Sequence, residues 1–308
     1  MKKISLKYIL LSSFSIGLFI AFMFLITNFL LRAITPEFFL EFLIILIAGL
    51  ISGVIITLGI STLSPLVSDW IIVLRKLIRF DNLSHPLIQR LSYEAPGTYH
   101  HSINVSILGQ QAAKSIGADS LLVRISAYYH DIGKLENPMR FIENQAGHEI
   151  PHTEDERSIK ESAEQIINHV KDGIAIGQSY DLPQNVLNLI EEHHGTTKVL
   201  YFYELAKERK LKIKLTDFKY PGPIPQTKEA IILMLADSIE AAARASNELN
   251  DEAIKQIVAS VTSDKLNEKQ MNHCNLSKKE LEKIKNSFMS TLASIFHQRI
   301  IKRQSESN

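Results

Sequence analysis

Two long segments without a charged residue constrain this chain more than any other feature of its sequence. Residues 8–31 and 42–68 contain no Asp, Glu, Lys or Arg, and each reaches the roughly 20 apolar residues that a helix needs to cross a bilayer core. The first segment is too long for a cleaved signal peptide, and no small-residue cleavage site follows it. The sequence therefore predicts two transmembrane helices, at 9–31 and 42–63, within a membrane anchor at 1–68.

The basic residues around these segments predict their orientation. Three precede the first segment and three follow the second: Lys2, Lys3, Lys7, Arg75, Lys76 and Arg79. The connection between the segments has only Arg32, beside Glu37 and Glu41. We therefore expect a multi-pass protein of the inner (cytoplasmic) membrane, with the N- and C-termini and the remaining chain on the cytoplasmic side.

Charge and cysteine content exclude several classes of protein. The 34 Lys and Arg residues nearly cancel the 33 Asp and Glu residues, for a net charge of +1, which argues against a general binder of DNA or of acidic partners. The single cysteine, Cys274, excludes internal disulfides and cysteine-rich metal sites. This cysteine usage is typical of a reducing compartment.

The chain after the anchor has the periodicity of an all-α protein. Apolar residues recur at helical spacing in eight segments: 99–117, 120–131, 157–172, 183–194, 198–209, 226–246, 251–259 and 277–300. Residues 69–95 predict an amphipathic connector that lies on the membrane or pairs with a second copy, so a homodimer is a candidate assembly. We assign 96–302 to one helical domain and 303–308 to a disordered tail.

Two segments rich in proline or glycine, 135–157 and 215–229, interrupt the helical pattern. Connections of this length in a compact helical domain are often lids or rims over a site. His148 and His152 fall in the first segment, and we interpret both as loop residues.

Histidines occur at predicted helix ends and on one inward helix face. His101 shares a stripe with Val105 and Leu108, which fits either a core histidine or a ligand. Consecutive residues in mid-helix point about 100° apart, but near a helix end both can reach one point. Four histidines and one aspartate lie near a predicted helix end: His130, Asp131, His169, His193 and His194.

Asp237 lies on an apolar stripe with Leu233, Met234 and Ala241. An ionised carboxylate there costs several kcal/mol unless a cationic group meets it. A lysine, an arginine or a metal ion would serve, and a buried salt bridge stays open as the alternative.

These five histidines and two aspartates have the chemistry of a metal centre. Imidazole and carboxylate without thiolate suit iron, manganese, zinc or nickel, and the ligand types do not separate these metals. Seven ligands are too many for one ion and fit two ions that share a carboxylate, for which Asp131 is the natural candidate. Two ions about 3.5–4 Å apart can clamp the attacking and leaving oxygens of a phosphoryl displacement.

Six motifs, in this order along the chain, resemble those of the HD-domain metal-dependent phosphohydrolases. They are EAPGTYHHS, YYHDIGK, FIENQ, EEHHGTT, YPGPIPQTKEA and MLADSIEAAAR. Their closest resemblance is to the seven-transmembrane HD family of bacterial cyclic di-AMP phosphodiesterases, over residues 77–302. That family has an extracellular domain and seven spans, whereas we predict two spans here.

The resemblance implies an HD-domain helical bundle that hydrolyses cyclic di-AMP to linear pApA by a metal-bridging hydroxide. It assigns one ion to His101, His130, Asp131 and Asp237, and the other to Asp131, His169, His193 and His194. It also implies that Lys134 contacts a phosphate oxygen. The cofactors would be two divalent transition-metal ions, iron or manganese first and zinc or nickel as alternatives, and the partners a cyclic dinucleotide and the lipid bilayer.

Other interpretations stay open at this point. The same chemistry could cleave cyclic di-GMP, a guanosine polyphosphate or a nucleotide monoester, although HHGTT lacks the Gly-Tyr-Pro signature of the cyclic di-GMP enzymes. A catalytically silent nucleotide sensor in the membrane is the alternative from another class. Such a sensor would be expected to lack a ligand, and none of the seven is missing.

Overall fold

A computed structural model describes residues 74–145, 156–246 and 248–306, with scattered positions between 15 and 59. The chain divides into two units, 1–75 and 76–308. Most of the predicted spans 9–31 and 42–63 lies outside the described residues, as do His148 and His152. Among the helices that are described, none has the length and apolar character needed to cross a bilayer.

The second unit is built from helices. A helical segment at 74–80 comes first, followed by nine α-helices in the described part of the chain: α1 (Pro86–Glu94), α2 (Pro96–Ile116), α3 (Ser120–Tyr129), α4 (Glu156–Ser179), α5 (Gln184–Glu192), α6 (Leu200–Glu208), α7 (Lys228–Ala245), α8 (Asp251–Asn267) and α9 (Lys278–Glu306). Short 3-10 helices lie at Ile132–Glu136, Pro138–Arg140, Ile142–Asn144 and Leu215–Phe218. No strand occurs in the described ranges, where Lys198 and Lys219 form an isolated bridge. The all-α prediction is confirmed.

Local sequence explains where these helices begin and end. Pro96 occupies the first turn of α2, where its missing N–H costs nothing, and Gly117 ends that helix with φ 72°. The side chains of Asp119 and Thr227 accept hydrogen bonds from the first turns of α3 and α7. The last helix runs to Glu306, four residues into the tail that we expected to be disordered, because no glycine or proline interrupts it.

The main core forms around α2, which packs against α3, α7 and α9. Helix α7 is buried almost all round, since every residue from Ala230 to Asp237 lies in the core. Val105 and Leu108 of α2 meet it from one side, and Phe288 of α9 is buried in the same cluster. This arrangement holds the middles of α2 and α7, and so His101 and Asp237, against each other.

A second core includes part of the predicted connector 69–95. Leu77, Phe80 and Leu87 are buried with Tyr129 and Ile132. The compact unit starts at residue 76, so from there on apolar residues of the predicted connector pack within the helical domain. Contact of the connector with a membrane or with a second copy stays a prediction. The pattern of apolar residues is the same in all three cases, so sequence periodicity does not distinguish them.

Candidate metal centre

Helix ends bring the neighbouring candidates His130 and Asp131 to one place. His130 still has helical dihedrals (φ −58°, ψ −32°), whereas Asp131 (φ −108°, ψ 13°) leaves the helix. The change of direction at this junction turns both side chains inward. His193 and His194 follow the end of α5 in the same way.

All seven predicted ligand residues meet in the interior, contributed by α2, α4, α7 and the ends of α3 and α5. They form two groups in which the potential ligand atoms lie within 4.8 Å of one another. The first group is His101, His130 and Asp237, and the second is Asp131, His169, His193 and His194.

Asp131 lies between the two groups. Its Oδ2 is 3.3 Å from Nε2 of His130 and 3.6 Å from Nε2 of His101. Its Oδ1 is 3.3 Å from Nε2 of His169 and 4.0 Å from Nε2 of His193. Each carboxylate oxygen thus faces a different group.

The backbone fixes the orientation of three imidazole rings. In each, Nδ1–H donates to the carbonyl oxygen three residues earlier, at 2.8, 2.5 and 2.6 Å for the pairs His130–Ala127, His169–Ile166 and His193–Ile190. A neutral ring that donates through Nδ1 has its lone pair on Nε2, and Nε2 points inward here. This is the tautomer that a metal ion requires.

Glu240 fixes the orientation of the His101 ring in the same way. The sequence analysis did not identify Glu240. The Nδ1 of His101 lies 2.5 Å from Glu240 Oε2, and Asn104 Nδ2 donates to the other carboxylate oxygen at 2.9 Å. The available signal was the position of Glu240, which is three residues after Asp237 and therefore on the same face of α7.

The donor atoms fit a bound cation. Nε2 of His130 is buried without a hydrogen-bond partner among the described residues. Nε2 of His169 and Nε2 of His193 are 3.4 Å apart, and in the neutral rings that bind a metal ion both atoms carry a lone pair. Nitrogen and carboxylate donors with these contacts suit divalent metal ions, which would satisfy the facing lone pairs.

The pKa values divide the histidines. Burial alone would lower the pKa of His130, but the charges of Asp131 and Asp237 outweigh burial and raise it to about 10. Burial lowers the pKa of His193 to about 3, helped by the neighbouring His130 and His169, and burial also holds the pKa of His194 well below its usual value. His193 and His194 are therefore neutral and ready to bind a cation near neutral pH.

The two aspartates stay ionised. Burial opposes this, but His130 and Lys134 hold the pKa of Asp131 well below its usual value. Burial opposes ionisation of Asp237 too, but His101, whose Nε2 lies 3.0 Å from Oδ1, and the neighbouring His130 hold the pKa of Asp237 well below its usual value.

Lys134 lies beside the centre and is paired with two carboxylates. Its Nζ is 2.8 Å from Asp131 Oδ2 and 2.6 Å from Glu143 Oε1, and it lies 4.9 Å from the centre of the Phe141 ring. Glu143 and Phe141 come from the first predicted rim segment, 135–157. The predicted contact of Lys134 with phosphate stays a prediction, and its side chain is 13% exposed.

The centre opens on one side. The side chains of His101, His130, Asp131, His169 and His193 are at most 2% exposed. His194 is 20% exposed and Asp237 11%. Tyr220, from the second predicted rim segment, stacks on the His194 ring at 4.1 Å between ring centres.

A family model described as the HD domain matches residues 98–242 of this chain. Among curated proteins, the cyclic-di-AMP phosphodiesterase PgpH of Bacillus subtilis is 40% identical over 288 residues, which make up 92% of this chain and 40% of that protein. PgpH of Listeria monocytogenes is 36% identical over 296 residues, or 95% of this chain and 40% of that protein. The chain thus spans about 40% of the length of these relatives.

Among the solved structures that are similar to this chain are two of the L. monocytogenes PgpH HD domain. The crystal structure of the L. monocytogenes PgpH HD domain has a TM-score of 0.65 and 40% sequence identity, and it covers 70% of this chain and 100% of that domain. The same domain in complex with cyclic-di-AMP has a TM-score of 0.66 at 40% identity, over 70% of this chain and 99% of that domain.

Proposed function

Because this chain belongs to the HD-domain family, we propose that it is a metal-dependent phosphodiesterase that opens cyclic di-AMP to linear pApA. One observation carries the proposal: seven buried or nearly buried ligand residues form two groups, with one oxygen of Asp131 turned toward each. The similarity to the cyclic-di-AMP phosphodiesterases and to an HD domain crystallised with cyclic-di-AMP supports the choice of substrate.

In this proposal Asp131 would be a ligand to both of two divalent ions. His101, His130 and Asp237 complete the first set, and His169, His193 and His194 complete the second. Iron or manganese is our first choice, with zinc or nickel as alternatives that the same ligands accept. Bound together, such ions supply a nucleophilic water at neutral pH and offset charge on the phosphoryl oxygens.

The protein's own residues position the reaction. Asp131 keeps its negative charge because His130 and Lys134 lower its pKa. Its two carboxylate oxygens therefore stay available as metal ligands. Lys134 in turn offers a cation near the phosphate, and its pairing with Glu143 holds the ammonium in place. Hydrolysis forms a P–O bond to the oxygen of a water molecule and breaks one P–O3′ bond of the cyclic substrate, so that the linear product has a 5′ terminal phosphate and a free 3′ hydroxyl.

We further propose that the predicted helices at 9–31 and 42–63 anchor the enzyme in the cytoplasmic membrane, with the centre on the cytoplasmic side. Their lack of charge and the flanking basic residues support this. A homodimer also stays a proposal.

Product analysis tests the substrate. The full chain, purified in detergent and supplied with Mn²⁺ or Fe²⁺, is incubated with cyclic di-AMP or cyclic di-GMP, and the products are separated by chromatography. We expect faster opening of cyclic di-AMP, to pApA, and no reaction after treatment with a chelator. Equal rates on the two substrates would favour a broader phosphoesterase, and no reaction with either would favour a nucleotide sensor.

A further inference from the structure

We infer that a cavity beside Asp237 receives the second nucleotide of the cyclic substrate, and that Lys265 in its wall pairs with the phosphate that is not cleaved. This inference rests on the proposed function, because it needs a substrate with two phosphodiesters. It adds a substrate-binding residue outside the two sets of metal ligands.

The cavity lies next to the metal centre. It has a volume of about 410 Å³, within the range of small-ligand sites, and is bounded by α7, α8 and the segment after His194. Ser238, the neighbour of Asp237 on α7, lines it. Thr197 lines it too, and its hydroxyl donates to the His194 carbonyl oxygen at 2.8 Å.

The cavity wall lies close to the exposed edge of the centre, since Asp237 acts electrostatically on Lys265. His194 and Asp237 are its most exposed ligand residues, and they are the ones whose neighbours, Thr197 and Ser238, form the cavity wall. If one phosphodiester of the cyclic dinucleotide reaches the ligand residues from this side, the second nucleotide and its phosphate lie in the cavity.

Lys265 is the cation that this cavity presents. It is half-buried on α8 and makes no ion pair or hydrogen bond through its side chain among the described residues. Burial lowers the pKa of Lys265, and the charges of Asp237, Glu268 and Asp264 only partly oppose this. A bound phosphate would provide the partner that the ammonium lacks.

The other charged groups of the cavity are less suited to this role. Asp264 and Glu268 also line it, but both are exposed. Lys198 lines it as well, and its ammonium lies 5.4 Å from the centre of the Tyr203 ring. Among the described residues of the wall, Lys265 is thus the half-buried cation that has no ion pair, hydrogen bond or ring contact.

Gln270 holds the two walls together. Its side chain accepts from Thr196 N at 3.0 Å and donates to Thr196 Oγ1 at 3.0 Å, while its own N–H donates to the Lys265 carbonyl oxygen at 3.0 Å. The end of α8 is therefore fixed relative to the residues that follow His194. The same contacts hold the backbone of Lys265 beside the segment that follows His194.

A substrate with only one phosphodiester tests whether Lys265 contacts the second phosphate or affects the metal centre in general. We compare Lys265→Gln with the unmodified full chain in detergent with Mn²⁺, on cyclic di-AMP and on bis(4-nitrophenyl) phosphate. Loss of a charged hydrogen bond to the second phosphate lowers kcat/KM for cyclic di-AMP by about tenfold or more, relative to its effect on the small diester. Lys265→Arg restores most of the difference.

Lys255→Gln is the matched control, since Lys255 is an exposed residue of the same helix and its loss changes the net charge equally. It leaves both activities as they are. If Lys265→Gln lowers kcat/KM equally for both substrates, or for neither, the inference about Lys265 is wrong, while the proposed function still stands. If the unmodified chain cleaves the small diester and not cyclic di-AMP, the proposed substrate fails and the inference fails with it.

Discussion

Glu240 and His101 form a short contact in the metal centre, with 2.5 Å between Oε2 and Nδ1. Asn104 holds the other carboxylate oxygen, so Glu240 has little freedom to turn away. Burial lowers the pKa of His101, yet hydrogen bonds with Asp237 and Glu240 outweigh this and raise it. The ring of His101 is therefore fixed by a second carboxylate that does not itself belong to either group of ligand residues.

The first prediction concerns this contact. Glu240→Gln keeps the size of the side chain and removes its charge, so the His101 ring loses a strong acceptor for its Nδ1–H. We expect Mn²⁺ affinity to fall by about 10–100-fold, as is common when the outer partner of a histidine ligand is lost. Competition with a coloured chelator measures this affinity.

Glu248→Gln, at an exposed position after α7, is the control and keeps full affinity. Equal affinities in the two variants would contradict a role for Glu240 in orienting His101.

The second prediction concerns Asp131. Asp131→Asn removes the negative charge that faces both groups, so we expect the content of both ions to drop and hydrolysis of cyclic di-AMP to fall below detection. Elemental analysis and product chromatography measure the two effects. Lys134 keeps Glu143 as a partner in this variant, so its charge is not left alone in the interior.

Asp181→Asn is the matched control, because Asp181 is exposed and asparagine tolerates its positive φ of 60°. An active Asp131→Asn protein with a full complement of metal would rule out the shared carboxylate.

The sequence predicted the helices, and it singled out the seven residues that gather at the candidate centre, because both leave short-range patterns. Helical periodicity located all eight helices predicted after residue 96, and His130 with Asp131 could be recognised from the helix end before Gly133. Contacts between distant residues leave no such pattern: Glu240 meets His101 across 139 positions, and Gln270 meets Thr196 across 74. The burial of Leu77 and Phe80 escaped prediction for the same reason, since an apolar face does not specify what covers it.

The third prediction is that metal binding releases protons. The folded-state pKa of His130 is raised to about 10, so the ring is charged at pH 8, and an ion must displace a proton to bind it. We expect release of about one proton, from His130. Calorimetric titration with Mn²⁺ at pH 8, in buffers with different ionisation enthalpies, gives the number from the slope.

The release should shrink as the pH approaches 10, where His130 is already losing its charge. Asp131→Asn, titrated in the same way, should show no saturable release. A slope of zero for the unmodified protein at pH 8 would mean that His130 is neutral before the ion arrives.

The fourth prediction concerns Gly133, where the chain passes closest to α4. A methyl group added there would lie 1.8 Å from the carbonyl oxygen of His169 and 2.5 Å from the N of Gly173. Both atoms belong to the backbone, so neither can move aside cheaply. We expect Gly133→Ala to cost about 3 kcal/mol of unfolding free energy, at the upper end for overpacking, and to lower the melting temperature by about 6–12 °C.

Gly173→Ala is the matched comparison at the same crossing, because its added methyl group meets nothing closer than 3.3 Å. It should lower the melting temperature much less, and an alanine in the interior of α4 also favours the helix. Thermal unfolding of the metal-free proteins, followed by circular dichroism, separates this packing effect from loss of the ions. Equal melting temperatures of the two variants would contradict the close approach of Gly133 to the His169 carbonyl oxygen, and close packing would then not explain the glycine at position 133.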